Sequence, residues 1–150
     1  MKKIVPFIFA VSTVALSVPV AAQFAKVEDA IKYRKSVMFV MQQNFGRVAG
    51  MAGGRIPFDA KVAADSAAVA EFMSRLPWPA YVDGTNRGDT RAKAEIWKEP
   101  AKFKEYSNNL QQEMGKLAST AKTGNLDSIK AAVNATGGSC KTCHDAFRKE

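Results

Sequence analysis

Apolar residues return every three or four positions along this chain and nowhere alternate with period two, so the pattern predicts helices and no sheet. Across residues 27–48, Val27, Ile31, Met38, Met41, Phe45 and Val48 form one stripe in steps of four and three, and Arg34 stands on the same stripe. Gly50, Gly53 and Gly54 are expected to end this helix. A second helix is predicted from Asp59, an N-cap after Pro57, with Val62, Ser66, Val69, Met73 and Leu76 turned inward and Pro77 and Pro79 as its stop. A long connection to about Ala94, rich in Gly, Asp and Arg, carries Trp78 and Tyr81, which are expected to fold back onto the core. The third helix starts at Pro100, a residue suited to a first turn, and buries Phe103, Tyr106, Leu110, Met114 and Leu117 before Gly124. The fourth follows from Asp127 and aligns Ile129, Val133, Cys140, His144 and Phe147, so that Cys140 and His144 face the same way.

Amphipathic helices joined in this way predict an all-α fold, an antiparallel up-down-up-down four-helix bundle. The N-terminus changes the domain count. Met1-Lys2-Lys3, the apolar stretch 4–18 and Val20-Ala21-Ala22 read as a secretory signal, and Pro6 and Pro19 shorten the apolar run below the ~20 residues of a spanning helix. Residues 1–22 are therefore expected to be removed, leaving 128 of the 150 residues as one domain, 23–150, with no membrane attachment. The formal net charge of +8 becomes +6 without Lys2 and Lys3, and the basic residues are scattered rather than striped, which argues against nucleic acid.

The chemistry is concentrated in Cys140-Lys141-Thr142-Cys143-His144. In a C-x-x-C-H run both thiols can add to haem vinyl groups while the adjoining imidazole binds the iron. A structural zinc site needs four nitrogen or sulfur ligands, and both cysteines and the single histidine of the chain lie within this pentapeptide. A redox dithiol or a plain disulfide would leave that histidine unexplained. One covalent haem c, enclosed by the bundle against the first and fourth helices, is the expectation, and covalent attachment fits export to the periplasm. Gly137-Gly138 conflicts with helix propensity at about 1 kcal/mol each, and either a kinked turn or a porphyrin passing close to the backbone accounts for the pair.

Arg34 on an apolar stripe needs a partner, and a haem propionate is a natural one; the other reading has its head reaching out to solvent. Lys35 adjoins it. Met38, one turn on, either bonds the iron or packs above the ring, and Met41 is open to the same two readings. Arg148, one turn beyond His144, either sits over the proximal pocket or answers the helix dipole with Lys149. The absence of a second histidine argues against stabilised dioxygen and against acid–base catalysis of the peroxidase kind.

Over essentially the whole chain after residue 22, the sequence resembles bacterial cytochrome c-prime. The residues that carry the resemblance are Gln23-Phe24-Ala25-Lys26, Tyr33-Arg34, Met38, Met41, Phe45-Gly46-Arg47, Leu76-Pro77-Trp78, Gly88-Asp89, Glu95-Ile96-Trp97 and Ser139 through Lys149. The resemblance implies a periplasmic, non-enzymatic homodimer paired through the first two helices. It implies a five-coordinate, high-spin haem c with Cys140 and Cys143 as anchors and His144 as the iron's protein ligand. It places Arg34 and Lys35 at the propionates, Met38 over the distal face, Asp89 near the haem edge and Arg148 beside the proximal pocket. Binding of nitric oxide and carbon monoxide follows, with one-electron exchange with a redox partner; a low-spin electron carrier with a His/Met iron is the alternative on the same bundle. Lysine at position 35, where the family often has glutamine, is a departure.

Overall fold

The computed structural model describes residues 24–150, so the expected signal segment and its cleavage site lie outside the described residues. Four long helices carry the fold: α1 (Val27–Ala52), α2 (Ala60–Ser74), α4 (Pro100–Ala121) and α5 (Leu126–Phe147), with a short α3 (Glu95–Lys98) in the connection ahead of α4. α1 packs on α2, α2 on α4, α4 on α5, and α5 closes back on α1, forming a four-helix bundle. Short turns join α1 to α2 and α4 to α5, which makes each pair antiparallel neighbours.

Local chemistry sets most boundaries. Asp59 caps α2 by accepting a hydrogen bond from Val62 N at 2.9 Å, and Asn125 caps α5 by accepting from Ser128 N at 2.9 Å. Gly54 and Gly124 take φ of +69° just past α1 and α4, where a residue with a Cβ would be strained. The expected end of α1 is corrected: the helix runs through Gly50 to Ala52. Gly50 is buried inside it, where an added Cβ would meet the Ile56 side chain at 3.4 Å, so packing outweighs its poor propensity.

The core forms two layers. In one, Val48, Ala52, Ala67, Leu117, Ala118, Ala121 and Ile129 interlock. In the other, Met41, Ala70, Leu110 and Met114 pack with Met38, Phe45, Met73, Trp78 and Cys140. α2 corrects a second expectation. Its inner stripe is Ala63, Ser66, Ala67, Ala70 and Ser74, while Val62 and Val69 are exposed. Small residues let α1 and α4 approach α2 closely, and Val62, Val69 and Phe72 are left on the outer face, while Met73 turns inward as expected.

The connection between α2 and α4 is ordered by its contacts. Trp78 and Tyr81 fold back as expected: Tyr81 meets Phe103 edge-on at 4.8 Å, Trp78 meets Phe103 at 5.7 Å, and Phe103 meets Phe147 at 5.4 Å. These edge-to-face pairs add to simple area burial. At the other end of the connection Ala92 forms an isolated antiparallel bridge with Arg148, tying the segment before α3 to the tail of α5.

Candidate functional site

Cys140 and Cys143 lie one turn apart on α5, both half-buried, and no disulfide joins them. α5 brings them there because its inner stripe of Ile129, Thr136, Ser139 and Phe147 holds the helix against α4. The helix continues through Gly137 and Gly138; a Cβ on Gly137 would touch Phe45 at an ordinary 3.9 Å and one on Gly138 would meet nothing within 4 Å, so there is no kink and packing within the chain does not require either glycine. Burial pushes the Cys143 thiol up to about 11, with Cys140 adding to the effect, and burial also raises Cys140.

The shared inward face expected for Cys140 and His144 is only half realised. Cys140 packs against the layer of Met41, Ala70, Leu110 and Met114, whereas His144, four residues on, is on the outer side of the last turn. Its imidazole is still partly desolvated, and that desolvation, followed by the charges of Arg148 and Arg91 and opposed by Asp145, lowers its proton affinity. A ring kept neutral retains a nitrogen lone pair for a metal. Arg148 is itself exposed, and its N–H donates to His144 O at 2.9 Å.

Arg34 is 3% exposed, which excludes the reading in which its head reaches solvent. Its Nη1 donates to Ala80 O at 3.2 Å and Thr85 Oγ1 at 2.7 Å, and its Nη2 to Thr85 O at 2.6 Å and Thr90 Oγ1 at 2.7 Å. The guanidinium also lies over the Tyr81 ring, 4.4 Å from its centroid. Four bonds to one loop use four of the five guanidinium N–H groups, leaving Nε–H for a further acceptor. A two-pronged grip on a carboxylate is therefore not open to Arg34 while it holds this loop. Burial lowers its pKa, with Tyr81 opposing, yet arginine stays charged at neutral pH.

Lys35 points away from Arg34, as consecutive helical residues must, and pairs with Asp89 on the exposed side, also donating to Asp89 O at 3.3 Å. The pair lines an open cleft of about 510 Å3 floored by Val27 and Ile31. The structure thus joins Lys35 to Asp89, and places Met38, Met41 and Cys140 in one apolar layer, as two separate groups. Thr85 and Thr90 were not legible as functional positions; the signal for them was Arg34 itself, a buried donor that requires acceptors from the connection.

The family model for cytochrome c' matches residues 29–148. The chain belongs to the cytochrome c' family. The cytochrome c' of Rubrivivax gelatinosus is 46% identical over 129 residues, covering 85% of this chain and 100% of the relative, and that of Alcaligenes xylosoxydans xylosoxydans is 43% identical over 128 residues, covering 85% and 99%. The crystal structure of the Rubrivivax gelatinosus protein superposes with a TM-score of 0.81 over the same 85% of this chain and all of that one. A nitric oxide complex of a leucine-to-isoleucine variant of cytochrome c prime from Alcaligenes xylosoxidans superposes at 0.79 with 41% identity, covering 85% and 100%.

As in other cytochromes c', the cofactor is covalently bound haem c. The donor set suits it. Among the described residues no group of three or more His, Cys, Asp or Glu could hold a metal by itself, whereas a haem would bring its own ring nitrogens to the iron and ask only a further ligand of the chain. Trp97 Nε1 is buried with no hydrogen-bond partner among the described residues, on the wall of a cavity of about 330 Å3 shared with Trp78, Tyr81 and Phe103. An unmatched buried donor of this kind suits the carboxylate of a cytochrome c' haem.

Proposed function

We propose that this cytochrome c' binds nitric oxide and carbon monoxide at a five-coordinate, high-spin iron in the periplasm, and can exchange one electron there. The observation that carries the reading is the apolar wall that Cys140 packs against: Met41, Ala70, Leu110 and Met114, on which Met38, Phe45, Met73 and Trp78 also pack, the Trp78 indole Nε1 donating to Ser74 O at 2.7 Å. Such a wall gives little help to dioxygen, whereas nitric oxide and carbon monoxide need less. When bound, haem c supplies an iron that takes a diatomic ligand and changes oxidation state by one electron.

The chain's own residues take these parts. Cys140 and Cys143 anchor the ring by thioether bonds, and His144, kept neutral, gives the protein ligand to iron. Arg34 is assigned to a propionate through Nε–H, and Trp97 Nε1 is a second donor for one. Lys35 and Asp89 are assigned to the outer edge, Met38 to the distal face and Arg148 to the proximal pocket. The nitric oxide complexes known for the Alcaligenes xylosoxidans relative support the ligand class. With one histidine in the sequence no second imidazole serves acid–base work, which supports a binding and electron-transfer role rather than an enzymatic one.

An outer apolar face supports a homodimer paired through α1 and α2. Phe39 on α1 and Phe72 on α2 are 59% and 58% exposed, with Val62 and Val69 also uncovered on α2. Export rests on residues 1–22, and among the described residues no helix is long and apolar enough to cross a membrane.

The ferrous optical spectrum of the haem-loaded protein tests the iron reading. A broad high-spin spectrum that sharpens on adding carbon monoxide is expected. A split low-spin α-band unmoved by carbon monoxide would establish the His/Met electron carrier instead, an alternative favoured by Met38, which packs on the same layer as Cys140.

A further inference from the structure

We infer that Thr90 is a positioning residue for the proximal side of the haem, tying buried Arg34 to the strap that holds the last turn of α5. The inference rests on His144 being the iron's ligand. One oxygen makes the connection: Thr90 Oγ1 accepts from Arg34 Nη2 at 2.7 Å and from Ala92 N at 3.1 Å. Ala92 is the middle of a three-residue strap, 91–93, laid antiparallel to residues 147–149. Lys93 N donates to Phe147 O at 2.9 Å, Lys149 N donates to Arg91 O at 2.7 Å, and Arg91 Nε donates to Lys149 O at 3.0 Å. Lys93 Nζ reaches further back, donating to Asp145 O at 2.9 Å.

The strap meets a need that the bundle leaves open. The last carbonyls of a helix have no intrahelical donors, and an exposed last turn frays when nothing else satisfies them. His144, exposed, is in that turn, and Asp145 and Phe147 are carbonyls the strap satisfies. Phe147, 3% exposed against Phe103 and Tyr106, pins the inner side of the same turn. The imidazole direction is therefore set from two sides, by aromatic packing within and by the strap without. Thr90 is where the strap is joined to the rigid part of the molecule, because Arg34 is itself locked by Ala80 and Thr85 on α1's buried face. Outer partners of a metal-bound imidazole orient the ring and tune the metal, and here the orientation comes through backbone rather than through a side chain touching the ring.

The test compares Thr90→Val, which keeps the shape and loses the acceptor, with Thr90→Ser, which keeps it, both in the haem-loaded protein. Two readouts are taken: the iron–histidine stretching band of the ferrous protein by resonance Raman, and amide hydrogen exchange at Lys93 and Lys149 by NMR. Thr90→Val should shift or broaden the band and speed exchange at both amides about ten-fold, the loss of one ordinary hydrogen bond; Thr90→Ser should restore both. Leu117→Ala serves as a control that lowers stability from the opposite core layer and should leave the band in place. Lys93→Met, a half-buried change that removes the Nζ contact to Asp145 O, should shift the band in the same direction and covers the case in which Thr90→Val does not fold. A parental band with unchanged band and exchange in Thr90→Val and Lys93→Met overturns the role of Thr90. No iron–histidine band in the parent overturns the ligand reading of His144, and the positioning inference falls with it.

Discussion

Arg34 and Thr85 are bonded twice across the bundle, Nη1 to the threonine hydroxyl at 2.7 Å and Nη2 to its carbonyl at 2.6 Å, with both residues almost fully buried. Thr85 is in a connection without regular structure, and it is held in place because its hydroxyl also donates to Val82 O at 2.7 Å. The pair closes the loop over α1. A charge removed from water this far is tolerated because its donors are matched.

Arg34→Ala should therefore lower stability by about 3–5 kcal/mol, since it strands the Thr85 acceptors and releases the loop. Thr85→Val should cost less, about 1–3 kcal/mol, by stranding a single donor of Arg34. Arg34→Lys should recover part of the loss, because an ammonium cannot reproduce the fork. Urea unfolding of the haem-loaded variants measures all three. Haem content should not change, and the reduction potential of Arg34→Ala should move. A parental melt and potential in Arg34→Ala would mean that neither the loop nor the haem depends on it.

Tyr81 gives a pH dependence with a definite sign. Burial, opposed by Arg34 and assisted by Cys143, raises its phenol to about 12, against about 10 for a free tyrosine. The unfolded chain releases this proton at lower pH than the folded one, so folding is favoured below about 10 and that share is lost as pH rises from about 10 through 12. Unfolding free energies measured across that range should fall for the parent and fall less for Tyr81→Phe. In 13C-tyrosine NMR the Tyr81 resonance should titrate near 12.

Leu117 is wholly buried in the core layer of Val48, Ala67 and Ile129. Leu117→Ala should cost about 2–5 kcal/mol, from lost transfer energy and the cavity left behind. The optical spectrum should stay as in the parent, because Leu117 is not in the layer that Cys140 packs against, although Phe45 packs on both. A changed spectrum would mean that the two layers are mechanically coupled.

Phe39→Asp or Phe72→Asp should shift the protein toward monomer in sedimentation equilibrium while leaving helix content and spectrum unchanged. Each places a charge in the exposed apolar face of α1 and α2. A parent already monomeric at high concentration would remove the dimer reading.

The amino-acid pattern alone determined the four long helices, since period and caps are local: Asp59 caps α2 where expected, Pro100 opens α4, and Leu110, Met114 and Leu117 are buried on α4 as expected, while Phe103 and Tyr106 are only partly so. It also singled out Cys140, Cys143 and His144, because they are one contiguous run and their spacing needs no fold to be read. Gly50 and the inner face of α2 escaped it. Whether a glycine ends a helix or lets Ile56 approach, and whether valine or alanine turns inward, depends on how near the neighbouring helices come. The partners of Arg34 escaped it for the same reason. That the arginine needed acceptors followed from its place on an apolar stripe, but Ala80, Thr85 and Thr90, on average some fifty residues away, reach it only through the path of one irregular connection. That path is decided by aromatic packing and by the bridge between Ala92 and Arg148, contacts between residues far apart in the chain that no local period encodes.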